Sequence, residues 1–558
     1  MSNKLFLRIA AVSTLAIWLA ACGRSNEGEG KAIFRYNESA GISTLDPAFA
    51  KDQALIWATS QIFNGLVRLD SNLNVEPCIA KRWSVSSDGL TYTFTLRDDV
   101  YFHKSPLFKT LDSTRRVVAS DFLYSLGRIL DPDVASPGLW IFANVADNGF
   151  ETPDDTTFVV RLKEPFAPML SLLSMPYCSV VPREVVEHYG TDFRSHPVGT
   201  GPFRFQYWKE GVKLVLRRND NYFERDAEGH PLPYLDAVAV TFIIDKQTVF
   251  LEFVKGNLDF MNSLDASYKD EILTRTGQLK SKYASRIDMV SIPFLNTEYL
   301  GFNMETFQKD FSAITGKPLD AHKCKLIRQA INYGFDREKM MKYMRNNVGK
   351  PGLNGMIPCG LPAYDSSAAY GYNYNPARAR ELLAEAGFPN GNGLPPIKLA
   401  TTSSYLDLCK YIQQQLSLIG IDIKLDVNPP AALREQMAQG KSPWFRGSWI
   451  ADYPDAENYM TLFYSPNHSP AGPNYTHFTS QRFDRLYRAA IRETDNAKRL
   501  RMYREMDSLV MDEAPVIVLY YDQILHFTHK NISGMRTNAM NALDLRFTKK
   551  EQTKTAGN

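Results

Sequence analysis

The chain has 558 residues, 44% of them hydrophobic and 22% charged, so it has the composition of a globular protein and the length for two or three lobes rather than one compact core. Lys and Arg number 64 against 61 Asp and Glu, a net charge of +3 without a basic tract, which argues against a nucleic-acid partner. Aromatic residues reach 12%, a content that suits a large core and equally a cleft that grips an organic ligand.

The first predicted element is N-terminal. MSNKLFLR supplies Lys4 and Arg8, and IAAVSTLAIWLAA then runs apolar to Ala21. That run is too short to span a bilayer and has the length of a signal-peptide core. It ends in Leu19-Ala20-Ala21-Cys22, which resembles a bacterial lipobox, whose cysteine becomes the lipidated first residue. Residues 1–21 are therefore expected to be a lipoprotein signal peptide and 22–30 a flexible tether, with Cys22 carrying the lipid and the folded part in water. The other cysteines, Cys78, Cys178, Cys324, Cys359 and Cys409, are widely spaced and odd in number. This is neither a disulfide framework nor a zinc site; they read as small buried hydrophobes, with a single bridging pair left open.

Further along, RWSVSSDGLTYTFTLR (82–97) alternates on both sides of Ser87-Asp88-Gly89 and predicts a hairpin. The spacing of ASDFLYSLGRIL (119–130) predicts a helix capped by Ser120, and TTFVVRL (156–162) a strand. VAVTFII (238–244) predicts a strand with Val238, Val240, Phe242 and Ile244 on one side. A helix stopped by Gly256 and an extended NLDFMN follow, a β-α-β pattern. Asn375 caps a helix whose first turn holds Pro376 and whose end is set by Gly387. A strand at 397–401, a helix at 405–419 and a strand at 421–427 make a second α/β lobe. Residues 481–513 form two helices and VIVLYY (516–521) a buried strand. The stretch RGSWIADYPDAENYM (446–460) fits neither periodicity, and Pro454 interrupts any helix there.

No catalytic constellation emerges. GxSxG, HExxH, Ser-x-x-Lys, P-loop and EF-hand patterns are all missing, and Gly199-Thr200-Gly201 lacks the third glycine of a dinucleotide fingerprint. His526 and His529 are three apart but lack further ligands at metal spacing. The expectation is a protein that is not an enzyme and that holds no cofactor and no metal.

Six strings, taken together, carry a resemblance: FNGLVR (63–68), EPCIAKRWSVSSDGLTYTFTLRDDVYFH (76–103), VGTGPFRFQYW (198–208), NYGFDREK (332–339), NPARARELLAEAGFPNG (375–391) and the stretch at 446–460. In this order the chain resembles the extracytoplasmic solute-binding proteins of ABC importers, in the peptide/nickel group. The resemblance implies an α/β, two-lobed periplasmic-binding-protein fold with mixed sheets, a hinge of two crossover strands and an extra inserted domain. Mapped by motif order, lobe I is 31–72, 200–294 and 518–558, the inserted domain is 73–199 and lobe II is 295–517. It implies a monomer, tethered by its lipid in the cell envelope and exposed to the periplasm or extracytoplasmic side. Such a protein would capture peptides between its lobes and deliver them to the importer's permease. The same fold binding a metal chelate, haem or oligosaccharide is the alternative. A peptide hydrolase, the reading from another class, has no sequence feature behind it.

The resemblance also places a site. Oligopeptide binders carry a string close to R-x-G-W-C-A-D-Y, on which Arg446, Trp449, Ile450, Ala451, Asp452 and Tyr453 fall, with Ser448 also in the expected ligand wall. It implies that Asp452 takes a ligand α-ammonium, that Arg446 meets a ligand carboxylate and that Trp449 packs the cleft. The backbone of 448–451 would pair with a peptide main chain as an added strand does. Ser448 stands where the family usually has Gly, Ile450 where the nearest pattern has Cys, and Pro454-Asp455-Ala456 follows a form shared with members that bind other ligands. From spacing alone Asp452 and Asp455 both read as turn residues, and Asp455 keeps that reading. Gly199, Gly201 and Pro202 read as turn residues near the hinge rather than ligand contacts.

Overall fold

The computed structural model describes residues 30–264, 268–315 and 319–551; the expected signal peptide and lipidated Cys22 lie outside them. An eleven-stranded mixed sheet runs through the whole molecule. In order across it lie Ile423–Val427, Ile397–Thr401, Trp444–Ile450, Ile287–Phe302, Val516–His529, Phe260–Asn262, Ile33–Asn37, Ala237–Thr241, Lys213–Arg218 and Phe203–Lys209, with Lys350–Pro351 added beside Val516–His529.

Two long antiparallel strands, Ile287–Phe302 and Val516–His529, join the halves. Ile287 to Pro293 pair with His529 to Gln523, where Phe260–Asn262 continues the sheet. Thr297 to Gly301 pair with Tyr521 to Val516, where Trp444–Ile450 continues it on the other side. The register breaks between Pro293 and Thr297. Proline cannot donate to a ladder, so the break falls where the sequence removes a donor, and a ladder interrupted there is a natural place to bend. This is the two-lobed fold with a two-strand hinge.

A separate four-stranded antiparallel sheet, Ala80–Val85, Thr91–Leu96, Thr157–Leu162 and Val145–Asp154, comes from the segment between the first helix and the rest of lobe I. Helix Ala119–Leu130 covers it. Phe94, Phe122 and Phe158 of this sheet and helix share one buried core with Phe34, Trp57 and Leu545. In the other half Val516, Val518 and Tyr521 face one core and Ile517 and Leu519 a second, so this strand is buried on both sides and reads as a continuous apolar run.

The hairpin, the helices at 376–385, 406–417, 481–490 and 496–513 and the strand at 397–401 stand where their patterns predict. Three local readings need correction. Val118, not Ser120, precedes the helix at 119; Asp121 reaches back to accept from the Val118 amide at 2.9 Å. The strand predicted over 238–244 stops at Thr241, and Ile244 is 80% exposed. There the partner strand Ile33–Asn37 ends and the Asn37 side chain takes over, accepting from the Ile243 amide at 2.7 Å and donating to its carbonyl at 2.9 Å. The buried strand at 516 continues to His529. The five described cysteines are all buried, and none pairs with another.

Candidate functional site

Helix Gln53–Ile62 begins at Asp52, whose carboxylate accepts from the Leu55 amide at 3.1 Å. Its buried face holds Trp57 and Gln61. Trp57 Nε1 donates to the Asn541 carbonyl at 2.6 Å and Gln61 Nε2 to the Leu543 carbonyl at 2.8 Å, clamping the C-terminal segment 538–546 against the helix. Gly201 packs on the end of the same helix: its amide donates to the Ile62 carbonyl at 2.8 Å, and a Cβ at Gly201 would sit 2.5 Å from the Gln61 carbonyl oxygen. Gly199 and Gly201 thus serve close backbone approach. Pro202, expected to be only a turn residue, lines the cavity that this packing creates.

That cavity holds about 220 Å³. Its walls are helix Gln53–Ile62, the run Phe63 to Leu69, the segment Ser171 to Ser179 and residues 538–546, and they are met from the other lobe by Asp452, Tyr453 and Pro454. The site is therefore built between the lobes.

Of the residues singled out in the sequence, Asp452 and Tyr453 line this cavity. The Asp452 side chain is open to it, while the protein wrapped around the cavity pushes its carboxyl above the usual carboxylate range, an effect partly offset by Asn458. Asp452 has no cationic partner among the described residues. Asn458 organises this corner: its Oδ1 accepts from Trp449 Nε1 at 2.9 Å and from the Asp452 amide at 3.2 Å. Trp449 is half-buried and acts through that bond, outside the cavity wall. Tyr453 is buried; its hydroxyl and that of Tyr487 each donate to one oxygen of the fully buried Glu457. Burial pushes the Glu457 carboxyl up to about 7, with both tyrosines pulling the other way.

Arg446 also lies outside the cavity wall. It forms a buried ion pair with Glu298, and its guanidinium lies 3.2 Å from the centre of the Tyr405 ring. Ser448 and Ile450 are exposed on strand Trp444–Ile450, which ends at Ile450 rather than running on to Tyr453. One edge of this strand is paired with Asn296 to Phe302; on the other, pairing stops at Ala400 opposite Phe445. Among the described residues no strand pairs with this second edge at 447–450, which does not line the cavity. Asp455 is buried and faces Arg499 at 3.4 Å, as a structural group does. His526 and His529 fall on opposite sides of their strand and bond separately, to Asn541 Oδ1 at 3.0 Å and the Phe253 carbonyl at 2.7 Å.

Sequence reasoning missed the charged wall across from Asp452. Arg546 grips Asp544 with two bonds of 2.8 Å and also pairs with Glu224; Arg68 pairs with Glu224 at 2.5 Å and with Glu76 at 2.6 Å. Burial alone would raise the carboxyls of Glu224 and Asp544, but the arginines hold both below the usual range. Arg68 lies inside FNGLVR, yet no local pattern separates it from a surface arginine.

A deep cleft between two α/β lobes joined by two crossover strands defines a periplasmic-binding-protein fold. The chain belongs to the bacterial extracellular solute-binding proteins, family 5, whose middle-region model matches residues 74–471, and is thus a solute-binding protein of the ABC-importer type. Glutathione-binding protein GsiB of Salmonella typhi is 27% identical over 528 residues, covering 93% of this chain and 95% of GsiB. The periplasmic binding protein DppA of Helicobacter pylori, solved with the peptide STSA, is 25% identical with a TM-score of 0.69, covering 94% of this chain and 98% of DppA. HbpA2 of Haemophilus parasuis, at 22% identity, shares the fold with a TM-score of 0.79 over 94% of this chain and all of that one.

Proposed function

We propose that this protein captures short peptides between its lobes and hands them to an ABC importer, with Asp452 receiving the ligand's α-ammonium. The observation that carries this reading is an unpaired carboxylate on the wall of an interlobe cavity. An ammonium with three donors matches the acceptor sites of a carboxylate, and a charged bond of this kind contributes about 1.5–3 kcal/mol. The second edge of 447–450, with which no described strand pairs, offers main-chain pairing that is indifferent to side chains. The cavity's 220 Å³ lies below the roughly 300–1,000 Å³ of pockets for drug-sized ligands, which favours a ligand of two or three residues over a long oligopeptide. The glutathione and peptide in the names of the two relatives above support the same class.

The proposal includes a lipid on Cys22 that keeps the protein at a membrane. It also includes a division at the Pro293–Thr297 break into lobe I (31–72, 200–294 and 518–558) and lobe II (295–517), with 73–199 inserted. Calorimetric titration with di- and tripeptides bearing free or acetylated N-termini tests the ligand assignment. Free peptides are expected to bind and acetylated ones to lose most of their affinity; equal affinity for both overturns the role of Asp452. Mass spectrometry of ligand copurified with the protein separates peptides from a metal chelate, haem or oligosaccharide.

A further inference from the structure

We propose that Arg68 binds the carboxylate of the ligand, so that the two charged ends of a short free peptide are held by opposite lobes; this rests on the peptide reading above. Three observations lead to it. First, Arg446, to which the family resemblance assigns the carboxylate, stands outside the cavity lining and is held by Glu298 in a buried pair whose side chains are 11% and 3% exposed. Its charge is already matched and its surroundings are dry, so an anion arriving there would have to break that pair. Second, the cavity that Asp452 lines is also lined by two arginines, Arg68 and Arg546. Arg546 gives Nε and Nη2 to Asp544 and Nη1 to Glu224. Arg68 gives Nε to Glu76 and Nη1 to Glu224, while its Nη2 makes no bond among the described residues. Third, those two bonds fix the plane of the Arg68 guanidinium before any ligand arrives, so little further side-chain freedom is lost on binding.

The two arginines face three carboxylates: Asp544 is occupied on both oxygens by Arg546, Glu224 is shared by both arginines and Glu76 pairs with Arg68, so what Arg68 offers a ligand is the donor Nη2 on a fixed guanidinium and not an unmatched charge. Asp452 is left as an acid seeking a cation and Arg68 Nη2 as a donor seeking an anion, across one cavity. A zwitterion of matching length satisfies both and ties the lobes together. A peptide lacking either charge, or too long for the gap, engages one lobe only. Binding and closure thereby select for free-ended short peptides.

The test pairs ligand and protein changes. Trialanine and dialanine are titrated as free acids and as C-terminal amides against the unmodified protein, Arg68→Gln and Arg68→Lys, with melting curves for each variant. In the unmodified protein amidation is expected to weaken binding about tenfold to a hundredfold. In Arg68→Gln the acid and the amide are expected to bind alike, and Arg68→Lys is expected to restore part of the preference. If Arg68 only braces Glu224, the substitution weakens acid and amide equally, which overturns the proposal. An amide that binds the unmodified protein as well as the acid also overturns it, while the Asp452 reading survives if acetylation still abolishes binding. If no free-ended peptide binds at all, both readings fall together.

Discussion

Asp452 and Glu457 lie on one short turn and show what burial does to a carboxyl in two settings. Asp452 is desolvated without a counter-charge, so its charge is a cost in the empty protein that an ammonium would offset. Asp452→Asn is therefore expected to lose about tenfold to a hundredfold in peptide affinity while melting at the same temperature or higher. Affinity is also expected to fall on acidification at a pH above the ordinary carboxylate range, because protonation removes the acceptor charge; titrations from pH 7 down to 4 read this directly. Glu457 is buried between two tyrosine hydroxyls and titrates near 7, against 4.5 for a free glutamate. Between those values the folded state holds a proton that the unfolded state has lost, so the contribution of this group to stability is greatest below about 4.5, declines as pH rises to about 7 and then levels. Buried Asp507, also pushed up to about 7, contributes with the same sign, so melting temperatures of Glu457→Gln are expected to fall less across that window than those of the unmodified protein without becoming level.

At the scale of elements, legibility follows locality. The helix at 376–385 was written into Asn375, Pro376 and Gly387, each acting on its own turn, and the strand at 397–401 into a short apolar run. The strand at 237–241 misled because its end is set by a distant residue: the Asn37 side chain replaces ladder partners at Ile243. The candidate site divides the same way. Asp452 stands out locally as an acid among aromatics, whereas Arg68 and Arg546 become partners only through Glu224, far from both in sequence. Glycine makes the matching point about packing. At Gly201 a Cβ would lie 2.5 Å from the Gln61 carbonyl oxygen, a backbone atom that cannot step aside. Gly201→Ala is expected to destabilise the protein by about 1–3 kcal/mol in denaturant titrations, and to weaken peptide binding as helix Gln53–Ile62 shifts at the cavity wall.

At the scale of the molecule the segment 73–199 also touches the second lobe, both at the cavity and beside it. Trp140 lies 6.1 Å from Tyr453 between ring centres, the Ala167 amide donates to the Ile491 carbonyl at 2.8 Å, and Glu164 pairs with Arg492. The ion pair is 58% and 52% exposed, so solvent screens it. Replacing both residues with alanine is expected to change peptide affinity by less than about fivefold in calorimetry, well short of the loss at Asp452.

The bond between Trp57 and Asn541 spans 484 residues, and that between Lys550 and Ile33 spans 517. The core of the first lobe is thus closed by the last part of the chain. Emerging from a ribosome, Ile33–Asn37 can pair with Ala237–Thr241, but Trp57 Nε1, Gln61 Nε2 and the far edge of Phe260–Asn262 meet their partners only when synthesis is nearly over, and contacts of such long range form slowly. The order of strands therefore delays completion of the native state until the whole polypeptide is present. For a member of this extracellular family, the consequence is that the first lobe cannot close before the last long strand has been made.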